Sequence, residues 1–315
     1  MTLNLIPKSP RPILAVLVLY GRTPSVSQSL RALIAILGAN PDLANHFSLI
    51  IYDNSSQPQN PEMSDEIPVL YRHDPTNPGL AFAYNFALAH AEKERHEWLL
   101  LLDQDTLLTQ EFIVELIECT NSLRSQEKVA SITPKLLVHE KIYSPAAHFI
   151  DQLRHQYKRS NHAVRREIVG VQHGRIGAYN SGATLRVSAL RSIGGFPKDY
   201  WLDYLDHAVF HTLSVHGYLM YVMRAEIEHD ASQAAVTDVP SERQRNLIAA
   251  QTRFVRQTGN FVDRLLYRVW LLRYCRILWI HHPDRHLWKD TAIHALTLKS
   301  QGRKLSGDDP EERDS

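Results

Sequence analysis

Residues 97–106 read EWLLLLDQDT. A short apolar run bounded by polar residues fits a strand buried on both faces of a parallel sheet. In open α/β sheets, ligands sit outside the carboxyl ends of the strands. Asp103 and Asp105 would stand at such an end, one residue apart, and offer hard oxygen ligands suited to Mg²⁺ or Mn²⁺. The competing reading is a solvated acidic turn whose Thr106 or Thr109 caps the next helix. The choice depends on what the rest of the chain brings to the same edge.

Upstream, 12–20 (PILAVLVLY) is apolar and β-branched and predicts a first strand. Leu30, Leu33, Ile34 and Leu37 recur at helical spacing, with Gly38 as the stop. A second strand over 47–52 runs into Asp53-Asn54-Ser55-Ser56, and 68–71 is a short third strand. This βαβαβ outline is that of a nucleotide-binding half-sheet. Neither G-x-G-x-x-G nor a P-loop is present. At 77–79, Asn-Pro-Gly suits a helix start, with Asn77 as cap and Pro78 in the first turn. Its free N–H groups could meet a diphosphate; ordinary turn punctuation explains it equally.

Downstream, a helix over 110–124 and a strand over 129–133 are expected. The span 134–171 is irregular and basic (Arg154, Lys158, Arg159, Arg165, Arg166) and reads as a solvated excursion. Ser181-Gly182-Ala183 permits close backbone approach, and a helix from 187 stops at Gly194-Gly195. Residues 196–206 read FPKDYWLDYLD. A helix beginning near Leu202 would bury Leu202, Leu205, Val209 and Leu213 and put Asp203 and Asp206 on another face. Either carboxylate could serve as a cap or as a general base. His207 and His211 are four apart without an H-E-x-x-H pattern, so they are read as structural. A last strand at 220–223 precedes Glu228-His229-Asp230. A lone His is commonly a satisfied polar residue, but this one follows a strand, as the D-x-D does.

The 315 residues suffice for one large α/β domain and an appendage. A formal net charge of +1 gives no long-range pull toward nucleic acid. Cys119 and Cys275 are the two cysteines, far apart, which speaks against a disulfide scaffold and fits a reducing compartment. No signal-like apolar region opens the sequence, and no window is apolar enough to span a bilayer. After Pro240 the composition changes. Residues 241–258 look helical. Residues 261–282 are apolar nearly all round yet carry Arg264, Arg268, Arg273 and Arg276. They either pack under the α/β domain or, through Trp270, Trp279 and the arginines, lie on an anionic membrane surface. The polar tail 306–315 reads as disordered.

Taken in order, LVLYGR, IIYDNSS, NPGLAFAYNFALAHA, WLLLLDQDT, NSGATLRVSALRSIGGF, WLDYLD and IEHD resemble family 2 glycosyltransferases of the GT-A fold. The likeness spans about 12–232 and is nearest to the bacterial rhamnosyltransferase-like branch; Arg245-Asn246 echoes a further family feature. It implies a Rossmann-like, mostly parallel α/β sheet flanked by helices (1–238); the composition adds a helical extension (239–305) and a tail (306–315). It implies inverting, metal-dependent transfer of a sugar, with rhamnose from dTDP-rhamnose as the expected donor. The acceptor would be a glycan or lipid-linked intermediate of cell-surface polysaccharide synthesis, in the cytoplasm or at the inner face of a bacterial membrane.

By position, Tyr20 and Asp53 would hold the nucleotide base, and Asn77, Gly79 and Asn85 would lie near the nucleotide-sugar. Asp103 would approach ribose and metal, Asp105 would bind the divalent ion, and His229 would complete that site. Asp203 or Asp206 would be the base. Trp201-Leu202-Asp203 stands where the branch has Phe-Ile-Asp, and His207-Ala208 where an acidic residue often follows, so both remain candidates. The rival readings are a GT-A nucleotidyltransferase and a non-catalytic relative.

Overall fold

The computed structural model describes residues 11–21, 24–59, 67–155, 164–229, 239–284 and 286–297. The expected tail at 306–315, and Lys158, Arg159 and Asp230, lie outside the described residues. The chain divides into two compact units, Met1–Ala234 and Ala235–Ser315.

In the first unit, β1 (Ile13–Leu19), β2 (Phe47–Asp53), β3 (Val69–His73) and β4 (Trp98–Leu102) lie in the order β3-β2-β1-β4, all parallel. All five β4 side chains are buried, as the run of leucines requires. Burying each leucine contributes about 1.5–3 kcal/mol. Between these strands run α1 (Gln28–Ala39), α2 (Pro41–Ala44) and α3 (Leu80–Lys93). Gly38 does not stop α1: the helix runs one residue past it, and the N–H of Asn40 bonds the Leu37 carbonyl. Beyond β4 come β5 (Thr106–Leu107), α4 (Gln110–Ser122) and β6 (Val129–Val138). Thr109 is the N-cap of α4, accepting from the Phe112 N–H. One core face joins Leu17, Leu49 and Leu100 to Leu33 of α1 and Phe112 and Leu116 of α4.

The expected irregular span 134–171 contains the end of β6, then β7 (Lys141–Ser144), β8 (Ala146–Ala147), α5 (Phe149–His155) and the start of β9 (Gly170–Gln172). Next come β10 (Ile176–Gly177), β11 (Thr184–Arg186), α6 (Val187–Ser192), α7 (Leu205–Val215) and β12 (Leu219–His229). The strand expected at 220–223 is the first part of β12. It continues through a bulge at 223–225, where the Glu115 carboxylate accepts from the Arg224 and Ala225 N–H groups. The sheet continues β4-β11-β6-β12-β5. β11 is antiparallel to both β4 and β6, while β12 runs parallel to β6. The long strands therefore all point one way, and the reversed β11 begins near the rim where β1 and β4 end.

The second unit holds α8 (Ser241–Thr258), α9 (Phe261–His281) and α10 (Leu287–Thr297). A capping box, Asn260 with Asp263, starts α9. Arg245 on α8 pairs with Asp284 at 2.8 Å and Asp290 at 2.7 Å. Among the described residues, no helix is long and apolar enough to cross a membrane.

Candidate active site

At the carboxyl rim the chain leaves β4 as Asp103-Gln104-Asp105. The N-terminal turn of α1 fixes this turn. The Gln104 carbonyl accepts from the Gln28 N–H at 2.9 Å and from the Ser27 hydroxyl at 3.1 Å. The Ser29 hydroxyl sits between the Asp103 carbonyl and the Thr106 carbonyl, 2.8 Å from the latter, and accepts the Thr106 N–H at 3.1 Å. The Gln104 amide reaches the backbone of Tyr20 at 3.3 and 3.4 Å, tying the turn to the end of β1. Nothing local in the sequence marks Ser29 for this task, because its partners are 74 and 77 positions away.

The turn aims both carboxylates at the end of β12. There His229 pairs with Thr106 across the β12–β5 ladder. Its Nδ1 lies 3.0 Å from the Thr106 hydroxyl and 3.6 Å from Oδ1 of Asp105. The Ser181 hydroxyl, arriving just ahead of β11, donates to the Asp103 carboxylate. One ligand atom from each of Asp103, Asp105 and His229 lies within 4.8 Å of the others. Two hard carboxylates and an imidazole suit Mn²⁺ or Mg²⁺, and three protein ligands leave positions for diphosphate oxygens and water. Burial, first, and then the charges of Asp105 and Asp206, raise the Asp103 carboxyl above the ordinary range; Ser181 and His229 oppose this.

Asp206 is buried in the first turn of α7 and accepts from the His207 N–H at 2.7 Å. Burial pushes its carboxyl up to about 6, against the lowering effect of that backbone bond. The helix begins at Leu205, not near Leu202, because Tyr204 takes a left-handed conformation at φ 63°. Asp203 is therefore in the turn ahead of the helix and shares no helical face with Asp206. Of the expected apolar stripe, Leu205, Val209 and Leu213 are buried, and Leu202 is only half-buried. Tyr84 on α3 is fully buried, with a hydroxyl that has no partner among the described residues. Burial, and then the charges of Asp103 and Asp206, hold its phenol well above the usual value. Sequence reasoning gave Tyr84 no role; a tyrosine in an amphipathic helix reads as core.

The segment 77–85 acts differently from its sequence expectation. Asn77 does not cap α3. Its carbonyl accepts from the Trp201 indole at 3.0 Å, and Gly79, at φ 92°, occupies the cap position. The Leu80 N–H, expected to be open to an anion, donates to the Trp201 carbonyl at 2.8 Å. A Cβ at Gly79 would collide with that carbonyl and with the indole. Asn85 donates to the carbonyls of Ala81 and Phe196 at 2.8 and 2.7 Å and accepts from the Phe196 N–H at 3.0 Å. Both ends of its amide are thus committed to holding the loop that leads to Trp201 and Asp206.

Tyr20 is 59% exposed at the end of β1. Asp53 is fully buried and accepts from the N–H groups of Ser55 and Gln59 at 2.9 and 2.8 Å and from the Tyr71 hydroxyl at 2.6 Å. Those bonds hold its carboxyl below the ordinary value, although burial alone would raise it. The same loop joins β1 through the Gly21 N–H, which donates to the Ser55 hydroxyl at 3.0 Å. Beside it, the buried Asn54 carries an amide oxygen without a partner among the described residues.

The sequence profile described as "Glycosyl transferase family 2" matches residues 15–128, which include β1 through α4 and the D-Q-D turn. This stretch is thus similar to a family 2 glycosyltransferase domain. No curated protein matches the chain in sequence. Among solved structures, the chain is similar to Staphylococcus aureus TarS 1–349, at 12% identity and TM-score 0.48, covering 91% of this chain and 89% of that one. It is similar also to TarS 1–349 in complex with UDP-GlcNAc, at 12% identity and TM-score 0.46, covering 91% and 90%. The architecture is a mixed α/β sheet, mostly parallel in its long strands and flanked by helices, with a helical region following in the sequence.

Proposed function

We propose that the chain transfers a sugar from a nucleoside diphosphate to a hydroxyl acceptor, with inversion at the anomeric carbon and with a bound divalent cation. The observation that supports this is the meeting of Asp103, Asp105 and His229 at the rim, within electrostatic reach of the buried Asp206. Asp105, with Asp103 and His229, would hold Mn²⁺ or Mg²⁺, which when bound neutralises charge on a departing diphosphate. Asp206 is the base of this reading, and Asp203 in the preceding turn is the alternative. A carboxylate with a value near 6 is mostly ionised at neutral pH and can take the acceptor hydroxyl's proton. A placed base contributes about 10²–10⁴-fold. The acceptor attacks opposite the leaving group, so no covalent sugar–protein intermediate is needed.

The nucleotide's base would lie against the exposed Tyr20 and the 53–59 loop, which the committed Asp53 holds in shape. Asn77, Gly79 and Asn85 would serve the donor indirectly, by bracing Trp201 and the approach to Asp206. The finer reading, rhamnose from dTDP-rhamnose passed to a glycan or lipid-linked acceptor, rests on the motif resemblance. Peripheral attachment to the inner face of a bacterial membrane is supported by α9. Phe261, Leu265, Leu272 and Trp279 are exposed there beside Arg273 and Arg276.

The test is release of nucleoside diphosphate from a panel of dTDP-, UDP- and GDP-sugars with Mn²⁺ or Mg²⁺. Turnover by the wild type and none by Asp105→Ala is expected; equal turnover by that variant refutes the metal role. Flotation with anionic liposomes tests the attachment, and no binding by the intact protein counts against it.

A further inference from the structure

We infer that a cavity lined in part by His207, the residue after Asp206, seats a neutral pyranose ring of the acceptor. The assignment rests on the glycosyl-transfer reading. The cavity has a volume of about 220 Å³ and is lined by Tyr143, Ser144, Gln152, Gly177, Tyr179 and His207, among others. That is below the ~300–1,000 Å³ of sites for drug-sized ligands and suits one ring rather than an extended chain.

Two segments connect the cavity to the acid cluster. Tyr179 is two residues before Ser181, whose hydroxyl bonds Asp103. His207 follows Asp206 directly, and its backbone N–H bonds the Asp206 carboxylate.

The lining chooses the chemistry. Tyr143 and Tyr179 stack with centroids 5.1 Å apart and planes 12° apart, and Tyr143 is 40% exposed. Aromatic faces of this kind favour the apolar C–H face of a sugar. The His207 ring meets Tyr179 at 5.9 Å and Tyr204 at 4.7 Å, and burial holds it near 4, hence uncharged at neutral pH. Among the described residues, no Lys, Arg, Asp or Glu lines the cavity. Ser144, Gln152 and His207 offer hydrogen bonds to hydroxyls.

The experiment is saturation-transfer NMR on the full chain with methyl glycosides of rhamnose, glucose, galactose and N-acetylglucosamine, without nucleotide. At least one glycoside should bind the wild type. Tyr143→Ala should weaken it about tenfold, the worth of one aromatic face. Tyr143→Phe should keep it, and so checks that the truncated variant has not merely misfolded. Asp105→Ala should also keep it, because the acceptor does not depend on the metal. No binding by the wild type, unchanged affinity in Tyr143→Ala, or loss in Asp105→Ala overturns the assignment. Donor turnover by the wild type separates the two readings: if it persists while no glycoside binds, the cavity assignment fails and glycosyl transfer stands.

Discussion

Ser181 and Asp103 stand 78 positions apart, and the hydroxyl of one donates to the carboxylate of the other. The reversed β11 makes this possible, since it brings 181–183 to the rim where β4 ends. Ser181→Ala leaves a half-buried carboxylate without that donor. A hydrogen bond to a charged group is worth about 1.5–3 kcal/mol, so Mn²⁺ binding should weaken by roughly ten- to a hundredfold. Titration calorimetry of the folded variant measures it; wild-type affinity would show that the bond does not position the ligand.

The Asp206 carboxyl sits near 6 in the fold, above its ordinary 3.8. A base must be ionised, so kcat should fall roughly tenfold for each pH unit below that value. The stability conferred by its proton is fully present below pH 3.8 and lost as pH rises through 6. At neutral pH the ionised group therefore costs stability. Asp206→Asn should abolish transfer and stabilise the protein by about 1–3 kcal/mol. Thermal melts of the two proteins at pH 7.5 decide this; an unchanged or lower Tm in the variant refutes it.

His148, His207 and His211 are all held near 4, principally by burial. The His148 ring is 5.7 Å from that of His211, with neither nitrogen of His148 bonded among the described residues. Their neutral forms favour the fold, so their contribution is present above pH 6.5 and lost as pH falls toward 4. Each costs about 1.4 kcal/mol per pH unit over that window. Three such groups outweigh the opposite trend of Asp206. Tm should drop steeply between pH 6.5 and 4.5, and less steeply in His148→Gln. A flat profile would contradict the buried neutral state.

Gly79 lies at φ 92° under the Trp201 carbonyl and indole. Gly79→Ala should destabilise by more than about 2 kcal/mol, through backbone strain and the displacement of Trp201. The shift should carry 195–206 with it and lower kcat. Urea unfolding together with donor turnover tests both effects; loss of stability with normal kcat would separate the brace from the chemistry.

The strand β4 and its acidic turn are legible because both signals are local: an unbroken apolar run, then two carboxylates. Strand ends place Asp103, Asp105 and His229 at or beside a rim, but that the three form one set is implied only by the motif resemblance. The start of α3 is not. Its cap depends on Trp201, whose indole bonds Asn77 from 124 positions away. The length of β12 is hidden by Arg224, which interrupts the apolar pattern at a bulge that Glu115 holds from α4. The start of α7 turns on a left-handed Tyr204, a conformation no propensity assigns to tyrosine. Asn85 looks like a ligand contact in a motif; only the position of Phe196 shows what its amide does.

Because β11 pairs with β6, the stretch from 139 to 183 leaves from and comes back to the same strand. Ring-closure entropy grows only with the logarithm of such a detour's length. A change in its length therefore costs little, and the carboxylate cluster keeps its footing. Tyr143, Gln152 and Tyr179 all ride on that exchangeable cassette, so the scaffold can acquire new tastes without relearning its reaction.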